Sequence, residues 1–392
     1  MLKLLSVCIG AVALLMLPGC GAEDPPRALE RSIINGKTCS ASDMPSALAI
    51  LIEGKLDLGA FGSFPFRSVL CTGTLIAPDV VLTAAHCTFP DLLTGGMGKT
   101  TDVKYHISFT PDLSSLVMDM SGKVPELPAD AAEVSLAVAH PQFDPAGLTQ
   151  ITPGPGNLHD IALMFLAKPI PATQAKPAIV ITKEEASQLV VGKAVEIAGW
   201  GQQTPAAQNP FQPPPAGTVG IKVCATSTIN EVAQYELQIG AGSETSRKCH
   251  GDSGGPSYAT VESAAASKGR VVGITSHAYD QTDCAKGGID TRVDAWLDWV
   301  EQEMSGACAQ KKRAWCEVTG IIPPKYYDPK LPEPRPDLGS DGATSGDGGE
   351  PPAGDGCGCG LGQRGSARAP LAIGLAALLI VGGRARRRRF PR

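Results

Sequence analysis

Residues 249–256 read Cys-His-Gly-Asp-Ser-Gly-Gly-Pro, and this stretch decides how the rest of the chain is interpreted. A serine hydroxyl is a weak nucleophile at neutral pH, so Ser253 can react only if a base removes its proton and donors hold the resulting oxyanion. The glycines allow a sharp turn and let a carbonyl group come close to main-chain N–H groups. Taken alone, the stretch could equally be a tight turn that exposes a serine, so its meaning depends on residues elsewhere.

Two upstream motifs contain the partners that such a serine needs. Residues 71–87 form an apolar pattern that ends in Thr-Ala-Ala-His-Cys, which places His86 at the end of a strand. Residues 157–163, Asn-Leu-His-Asp-Ile-Ala-Leu, place Asp160 at the start of another apolar run. A buried aspartate that accepts from a histidine Nδ1–H fixes the tautomer of the ring and stabilises the imidazolium. Separately, a lone histidine is more often structural, and Asp160 could simply solubilise a strand edge.

Short apolar and β-branched runs broken by Gly, Pro and Asp recur through the middle of the chain, which predicts an all-β fold. One late segment is different, because four apolar residues share a helical face between residues 293 and 300. These residues are Val293, Trp296, Leu297 and Val300. The predicted strands lie within 46–52, 68–76, 80–84, 134–139, 161–166, 195–198, 220–224 and 270–276.

Composition and the N-terminus indicate an exported globular protein. Of 392 residues, 43% are hydrophobic and 19% charged, and a net charge of −5 offers no basic surface for nucleic acid. Lys3 precedes an apolar run at 4–17 that is too short for a membrane span, so residues 1–20 are typical of an export signal. Its end resembles a bacterial lipoprotein signal with Cys20 as the acylated residue, the alternative being ordinary cleavage nearby. Polar residues 21–32 suit a propeptide.

The C-terminal end has the composition of an anchor. Residues 322–356 are dominated by Pro, Gly and polar residues, which predicts a disordered stalk. Then follow Cys-Gly-Cys-Gly at 357–360, an apolar run at 369–383 and four arginines at 386–389, which predict one transmembrane helix with its arginines on the cytoplasmic side. Residues 357–392 resemble the MYXO-CTERM class of sorting signals, which implies a processing enzyme. A plain C-terminal anchor is the alternative.

Four motifs in chain order resemble trypsin/chymotrypsin-type serine proteases: Thr-Ala-Ala-His-Cys at 83–87, Asp-Ile-Ala-Leu at 160–163, Gly-Trp-Gly at 199–201 and Gly-Asp-Ser-Gly-Gly-Pro at 251–256. The resemblance runs from Ile33 to about residue 304. It implies two packed antiparallel six-stranded β-barrels with a C-terminal helix, and a protein or peptide substrate bound in the crevice between them.

The resemblance also assigns roles to the residues of these motifs. Ser253 would attack the peptide carbonyl, and His86, oriented by Asp160, would act first as base and then as acid. The N–H groups of Gly251 and Ser253 would form the oxyanion hole. No cofactor is implied, and the other histidines show no spacing typical of metal ligands.

The family pattern implies disulfides, which an oxidising compartment favours. It pairs Cys39 with Cys224, Cys71 with Cys87 and Cys249 with Cys284, and it leaves Cys308 and Cys316 as a local pair. The expected organisation is a signal at 1–20, a propeptide at 21–32, a protease domain at 33–305, a Cys-paired extension and stalk at 306–356, and a sorting tail at 357–392. We expect a monomer anchored at the bacterial cell envelope or surface, with release after processing as the alternative.

Residues 33–36, Ile-Ile-Asn-Gly, resemble the N-terminus that an activating protease exposes in this family. The new amine of Ile33 would fold inward and pair with Asp252. Many relatives carry a basic residue just before the isoleucine, whereas here Ser32 stands there and Arg31 lies one position further back. The activator could cut after Ser32, or a cut after Arg31 could be trimmed.

The specificity pocket departs most from the family pattern. Arg247 stands six residues before Ser253, where trypsins carry the aspartate that selects Lys or Arg, so trypsin-like cleavage is not expected. Asp290 replaces an aromatic residue, and the methyl of Ala278 should narrow the entrance. The residues expected around this pocket are Arg247, Ser276, His277, Ala278, Gly288 and Asp290.

Two preferences remain open. If Arg247 points freely into the pocket, a carboxylate side chain should be preferred before the scissile bond. If Asp290 neutralises Arg247, the pocket is filled and small residues are favoured. The second is preferred here, because an unpaired buried arginine costs several kcal/mol. A rival function is a catalytically silent module that binds peptides, since protease folds can lose activity.

Overall fold

The computed structural model describes residues 33, 35–94, 98–116, 124–149, 153–201, 219–242, 245–248, 251–262, 269–280 and 286–327. Within these residues the strands and the helix are β1 (Lys37–Thr38), β2 (Ala47–Asp57), β3 (Ser63–Ala77), β4 (Val80–Thr83), β5 (Lys99–Ser108), β6 (Ala132–Ala139), β7 (Ala162–Leu166), β8 (Ala194–Gly199), β9 (Val223–Val232), β10 (Glu236–Ile239), β11 (Pro256–Thr260), β12 (Gly269–Ala278), β13 (Gly288–Arg292) and α1 (Leu297–Ala309).

The first barrel consists of β2, β3, β4, β7, β6 and β5, which close on themselves in that order. Strands β4 and β7 are buried at every position and, apart from Thr83, apolar, as expected for strands covered on both faces. They pair antiparallel, with Val80 opposite Phe165 and Thr83 opposite Ala162. This pairing places the end of β4 and the start of β7 at the same rim of the barrel.

The second barrel consists of β9, β10, β13, β12, β11 and β8, and it closes because β8 pairs back to β9. Strand β1 extends this sheet by pairing with β9, next to the disulfide that joins Cys39 to Cys224. The prediction of two antiparallel six-stranded barrels and a C-terminal helix is therefore confirmed. The disulfides Cys71–Cys87 and Cys308–Cys316 are also formed.

Hydrogen bonds join the two barrels where their rims meet. The N–H of Thr72 on β3 donates to the carbonyl of Ser253 at 2.8 Å, and the N–H of Trp200 donates to the Thr72 hydroxyl at 3.3 Å. The hydroxyls of Ser46 and Tyr258 lie 2.8 Å apart. These contacts hold the loop that carries Ser253 against the first barrel.

The folded unit continues beyond residue 305, where the sequence suggested a boundary. After a 3-10 turn at Asp294–Trp296, α1 runs to Ala309. Arg313 then forms a buried ion pair with Asp79 of the first barrel at 2.7 Å, and the N–H of Trp315 donates to the same carboxylate at 2.9 Å. Trp315 and Ile322 have only 4% and 2% of their surface exposed and belong to the main core. Residues after α1 therefore strap the helix to the first barrel.

Several expectations lie outside the described residues. These are the export signal, Cys20, the propeptide, the Cys249–Cys284 disulfide, the stalk beyond residue 327 and the C-terminal tail. Among the helices of the described ranges, none has the length and apolarity needed to cross a membrane.

Replacing Arg313 with Ala should destabilise the folded chain strongly. The change leaves the Asp79 carboxylate, which has no exposed side-chain surface, without its cation. Removing one partner of a buried ion pair costs about 3–5 kcal/mol. The free energy of unfolding of the full chain, measured in denaturant, should fall by that amount.

The matched control is Lys183→Ala, because Lys183 pairs with Asp298 at 2.6 Å on the surface, where the side chains are 57% and 88% exposed. This variant should unfold almost as the parent does. Equal effects of the two substitutions would show that the extension after α1 is not part of the stable unit.

Candidate active site

His86 and Asp160, which the sequence placed at two strand ends, are hydrogen-bonded to each other. His86 lies in the 3-10 turn Ala85–Thr88 that follows β4, and Asp160 lies just before β7. Since β4 and β7 pair antiparallel, the two residues meet at one rim. His86 Nδ1 lies 2.8 Å from Asp160 Oδ2, and the main-chain N–H of His86 donates to Asp160 Oδ1 at 2.9 Å.

The Asp160 carboxylate is completely buried and accepts from both barrels. The Ser276 hydroxyl on β12 donates to Oδ2 at 2.6 Å, and the Thr291 hydroxyl on β13 donates to the Asp160 carbonyl at 3.0 Å. Burial acts to raise the pKa of Asp160, but the charge of His86 and the hydrogen bonds from His86 and Ser276 outweigh it and hold the pKa below its ordinary value. Asp160 therefore remains a carboxylate that can orient His86.

Ser253 lies in a loop that packs against the end of β4. Its carbonyl accepts from Thr72, and the next N–H, that of Gly254, donates to the Thr275 carbonyl at 2.7 Å. Gly254 has φ +76°, and a Cβ there would lie 2.0 Å from Thr83 Oγ1, so only glycine fits. Within the described residues the side-chain hydrogen bonds of His86 reach Asp160 but not the Ser253 hydroxyl. In unliganded sites such bonds are often long and tighten when substrate binds.

The turn around Ser253 presents main-chain donors. Gly251 has φ +90°, and the N–H of Gly255 closes the turn by donating to the Asp252 carbonyl at 2.9 Å. In the described part of the chain, neither the N–H of Gly251 nor that of Ser253 donates a hydrogen bond to a main-chain carbonyl. Both groups can therefore donate to an oxyanion formed beside Ser253.

Ile33 and Asp252, expected to pair, are brought together by the structure. The main-chain nitrogen of Ile33 lies 3.3 Å from Asp252 Oδ2, and the N–H of Gly201 donates to Oδ1 at 3.1 Å. A Cβ on Gly199 would lie 2.1 Å from the same oxygen. The Gly-Trp-Gly motif thus leaves room for a buried carboxylate, a role that the sequence motif did not reveal.

Asp290, which the sequence analysis expected near the pocket, is paired with Lys248 rather than with Arg247, which corrects the expected Arg247–Asp290 pair. Lys248 Nζ lies 2.8 Å from Asp290 Oδ2, and their side chains are 1% and 0% exposed. Arg247 Nη1 donates instead to the carbonyls of Gly242 and Thr245, at 2.8 and 3.3 Å. Arg247 and Lys248 are adjacent cations, and spacing from Ser253 alone does not indicate which of them reaches Asp290.

The Lys248–Asp290 pair is part of a compact buried cluster. The Ser257 hydroxyl donates to Asp290 Oδ2 at 2.7 Å and lies 3.0 Å from Lys248 Nζ. Burial lowers the pKa of Lys248, and the charge of Asp290 opposes that shift. A Cβ on Gly288 would lie 3.5 Å from Lys248 Cβ, so this cluster borders a residue expected in the pocket.

The expected pocket wall follows the end of β12. His277 pairs with Ile289 of β13, and Ala278 pairs with Gly288. His277 Nδ1 lies 3.1 Å from the hydroxyl of Ser276, the same hydroxyl that donates to Asp160. The wall and the buried carboxylate are therefore physically linked.

One group in the described residues has the spacing of metal ligands, with the donor atoms of Cys71, His86 and Cys87 within 4.8 Å of one another. The two cysteines are joined in a disulfide, so neither can provide a thiolate. The disulfide instead links the turn that carries His86 to strand β3.

The folded state should lose stability as the pH falls from about 6.5 to about 4, partly through His277. Burial lowers the pKa of His277 to about 4, with Asp160 opposing the shift and His86 adding to it. The unfolded chain therefore binds this proton first, and stability is present above the unfolded pKa and lost below it. At about 1.4 kcal/mol per pKa unit the loss is roughly 3 kcal/mol.

Unfolding in denaturant across this range checks the effect, with His277→Asn as the comparison. The variant should have a flatter profile than the parent. Parallel profiles would show that His277 titrates normally.

Comparisons with known proteins identify the family of this chain. The family model described as Trypsin matches residues 33–300. A trypsin of Phaedon cochleariae is 30% identical over 241 residues, covering 59% of this chain and 78% of that protein. Kallikrein-1 of Mus musculus is 27% identical over 295 residues, covering 73% of this chain and 94% of that protein. The solved structure of neuropsin, a serine protease expressed in the limbic system of mouse brain, gives a TM-score of 0.45 at 21% identity, covering 69% of this chain and 99% of that chain. Because the family match spans more than half of the chain, this protein belongs to the trypsin family of serine proteases.

Proposed function

We propose that this protein is a serine endopeptidase that hydrolyses peptide bonds through an acyl-enzyme on Ser253. The observation that carries the proposal is the buried Asp160 carboxylate, which binds His86 through both its ring and its main chain. A hydrogen-bonded pair of this kind holds an imidazole in the orientation and tautomer that a base requires. A silent peptide-binding protein would have no need to keep such a pair beside a nucleophile turn.

In the proposed reaction, the Ser253 oxygen attacks the substrate carbonyl while His86 Nε2 takes its proton. Asp160 stabilises the resulting imidazolium, and the N–H groups of Gly251 and Ser253 hold the oxyanion. His86 then protonates the leaving amine. In the second half of the reaction His86 takes a proton from water, the water oxygen attacks the acyl group, and Ser253 leaves with the proton returned by His86. Donors of the oxyanion-hole type contribute about 3 kcal/mol each to the transition state.

Activation by cleavage before Ile33 is supported by the local backbone. Ile33 is completely buried and has φ +47°, a left-handed conformation that is strained for a β-branched residue by about 1–3 kcal/mol. The torsion φ is defined by the preceding carbonyl carbon, so hydrolysis of the 32–33 bond abolishes it. The same cut converts the Ile33 amide into an ammonium group, which binds Asp252 more strongly.

A preference for small residues before the scissile bond is supported by the Lys248–Asp290 cluster. The side chains of Lys248, Asp290 and Ser257 fill the space next to Gly288. The charges of Lys248 and Asp290 neutralise each other. A neutral, filled floor has no carboxylate for a Lys or Arg side chain. It likewise has no unpaired cation for an acidic one.

The place of action is proposed from sequence patterns alone. The export signal supports secretion from the cytoplasm, and the arginine-rich tail supports anchoring at the bacterial envelope. A cut before Ile33 would separate Cys20 and any lipid on it from the peptidase. The C-terminal segment would then be the only remaining anchor.

Ser253 should react with a fluorophosphonate probe once the chain has been cut before Ile33. The cut provides the ammonium group that orders the Asp252 turn and with it the oxyanion hole. Labelling, read by mass spectrometry of the active-site peptide, should be strong in the cut chain and weak in the uncut one. The same spectra should show Ile33 at the mature N-terminus.

The controls are Ser253→Ala, which should abolish labelling, and Asp252→Asn, which should reduce it after the cut. A folded chain that begins at Ile33 and is never labelled would favour the silent peptide-binding module.

Profiling a random peptide library against the cut enzyme should show cleavage after small residues. Replacing both Lys248 and Asp290 with Ser should admit larger apolar residues, because the double change removes the cluster without leaving a buried charge unpaired. Arg247→Ala should leave the profile unchanged, since Arg247 Nη1 binds loop carbonyls. Strong cleavage after Lys or Arg in the parent would contradict the proposal, and cleavage after Glu or Asp would favour Arg247 as the selecting group.

A further inference from the structure

A continuous hydrogen-bonded chain leads from the pocket wall to His86. His277 Nδ1 lies 3.1 Å from Ser276 Oγ, which lies 2.6 Å from Asp160 Oδ2, which lies 2.8 Å from His86 Nδ1. Ser276 and Asp160 are 3% and 0% exposed, so water does not compete for these bonds. His277 is half-buried at the end of β12.

The protons along this chain can be assigned from the acceptors. Asp160 is a carboxylate, so at 2.6 Å the proton between it and Ser276 belongs to the serine hydroxyl. That hydroxyl has no second proton to give to His277. His277 Nδ1 must therefore carry a proton and donate it to Ser276 Oγ, because the opposite tautomer would set two lone pairs against each other.

We infer that His277 is a positioning residue for the reaction: its Nδ1–H fixes the rotation of the Ser276 hydroxyl so that the hydroxyl proton points at Asp160. The inference rests on the proposed peptidase function. A donor that itself accepts a hydrogen bond is polarised and donates more strongly. The Asp160 carboxylate is then better stabilised, and it attracts the His86 proton less strongly than it would without His277.

The neighbouring charges are consistent with this assignment. The charged groups that act on His277 are Asp160 and His86, and burial lowers the pKa of His277 to about 4. His277 is thus neutral where a peptidase of this type works, with one N–H to place. No titration of His277 is needed for the effect.

The test compares His277→Asn, whose side-chain amide can occupy the Nδ1 position, with His277→Leu, which keeps volume but has no donor. In the cut enzyme His277→Leu should lower kcat about three- to tenfold, because the Ser276 hydroxyl is no longer fixed and holds the Asp160 carboxylate, and through it the His86 ring, less firmly in one orientation. His277→Asn should retain most of the activity. The acid limb of the kcat/KM profile should move to higher pH in His277→Leu, because Asp160 then holds the His86 proton more tightly.

The same variants in a Ser276→Ala background decide whether His277 acts through Ser276. His277→Leu should cause no further loss of kcat there, because residues acting in series are not additive. A contact between His277 and substrate would instead appear in KM in both backgrounds. The matched control is His106→Asn, a half-buried histidine 3.3 Å from Glu53 on the other barrel, which should leave kcat unchanged.

An activity-independent measurement separates this inference from the proposed function. In Ser253→Ala chains, nitrogen-15 NMR of the histidine rings should show the Nδ1–H tautomer for His277. The Nε2–H tautomer, equal losses in the Asn and Leu variants, or an additive loss with Ser276→Ala would overturn the inference even in an active enzyme. If the Ser253→Ala variant shows the Nδ1–H tautomer but the cut parent protein never reacts with fluorophosphonate, the peptidase is refuted and the inferred hydrogen bonds of His277 remain.

Discussion

The buried carboxylate of Asp160 is the constraint on which the site depends. Asp160 belongs to the first barrel, yet its carboxylate accepts from Ser276 and its main-chain carbonyl from Thr291, both of the second barrel. A buried charge without hydrogen bonds costs several kcal/mol, and the bonds from His86 in the first barrel and from Ser276 in the second offset that cost. The carboxylate is therefore held by both barrels, and it orients His86 through the ring and the main chain.

Other buried charges follow the same logic at other junctions. The Asp252 carboxylate accepts a hydrogen bond from the main-chain nitrogen of Ile33 at the N-terminal end of the domain. Asp79 forms an ion pair with Arg313 at the C-terminal end. Lys248 and Asp290 neutralise each other close to the loop that carries Ser253, with Lys248 Nζ 3.5 Å from the Gly255 carbonyl. Each pair joins segments that are far apart in the sequence. A hydrogen-bonded pair needs a particular distance and direction, so it constrains how these segments pack more narrowly than apolar contacts do. Buried carboxylates thus tie the segments at Ile33 and Arg313 to the barrels, while the barrels themselves are filled by apolar side chains.

Patterns of residues predicted the barrels well. The runs at 80–84 and 161–166 became β4 and β7, because a strand covered on both faces is mostly apolar, and the one polar residue, Thr83, donates to the Thr72 carbonyl. The helical face at 293–300 located the start of α1 but not its end at Ala309. The strap after α1 was missed, since Trp315 and Ile322 are isolated apolar residues in a polar segment and show no periodicity.

By itself, the sequence determined the fold class, the family and the residues that meet at the rim, because strand periodicity and short motifs are local properties of the chain. Only the tertiary structure decided which cation neutralises Asp290, how the glycines at 199 and 201 make room for Asp252, and that His277 reaches Asp160 through Ser276. These outcomes depend on side-chain direction and on contacts between segments distant in sequence. Such contacts depend on burial and hydrogen bonding in the folded protein, and the spacing of residues along the sequence does not predict them.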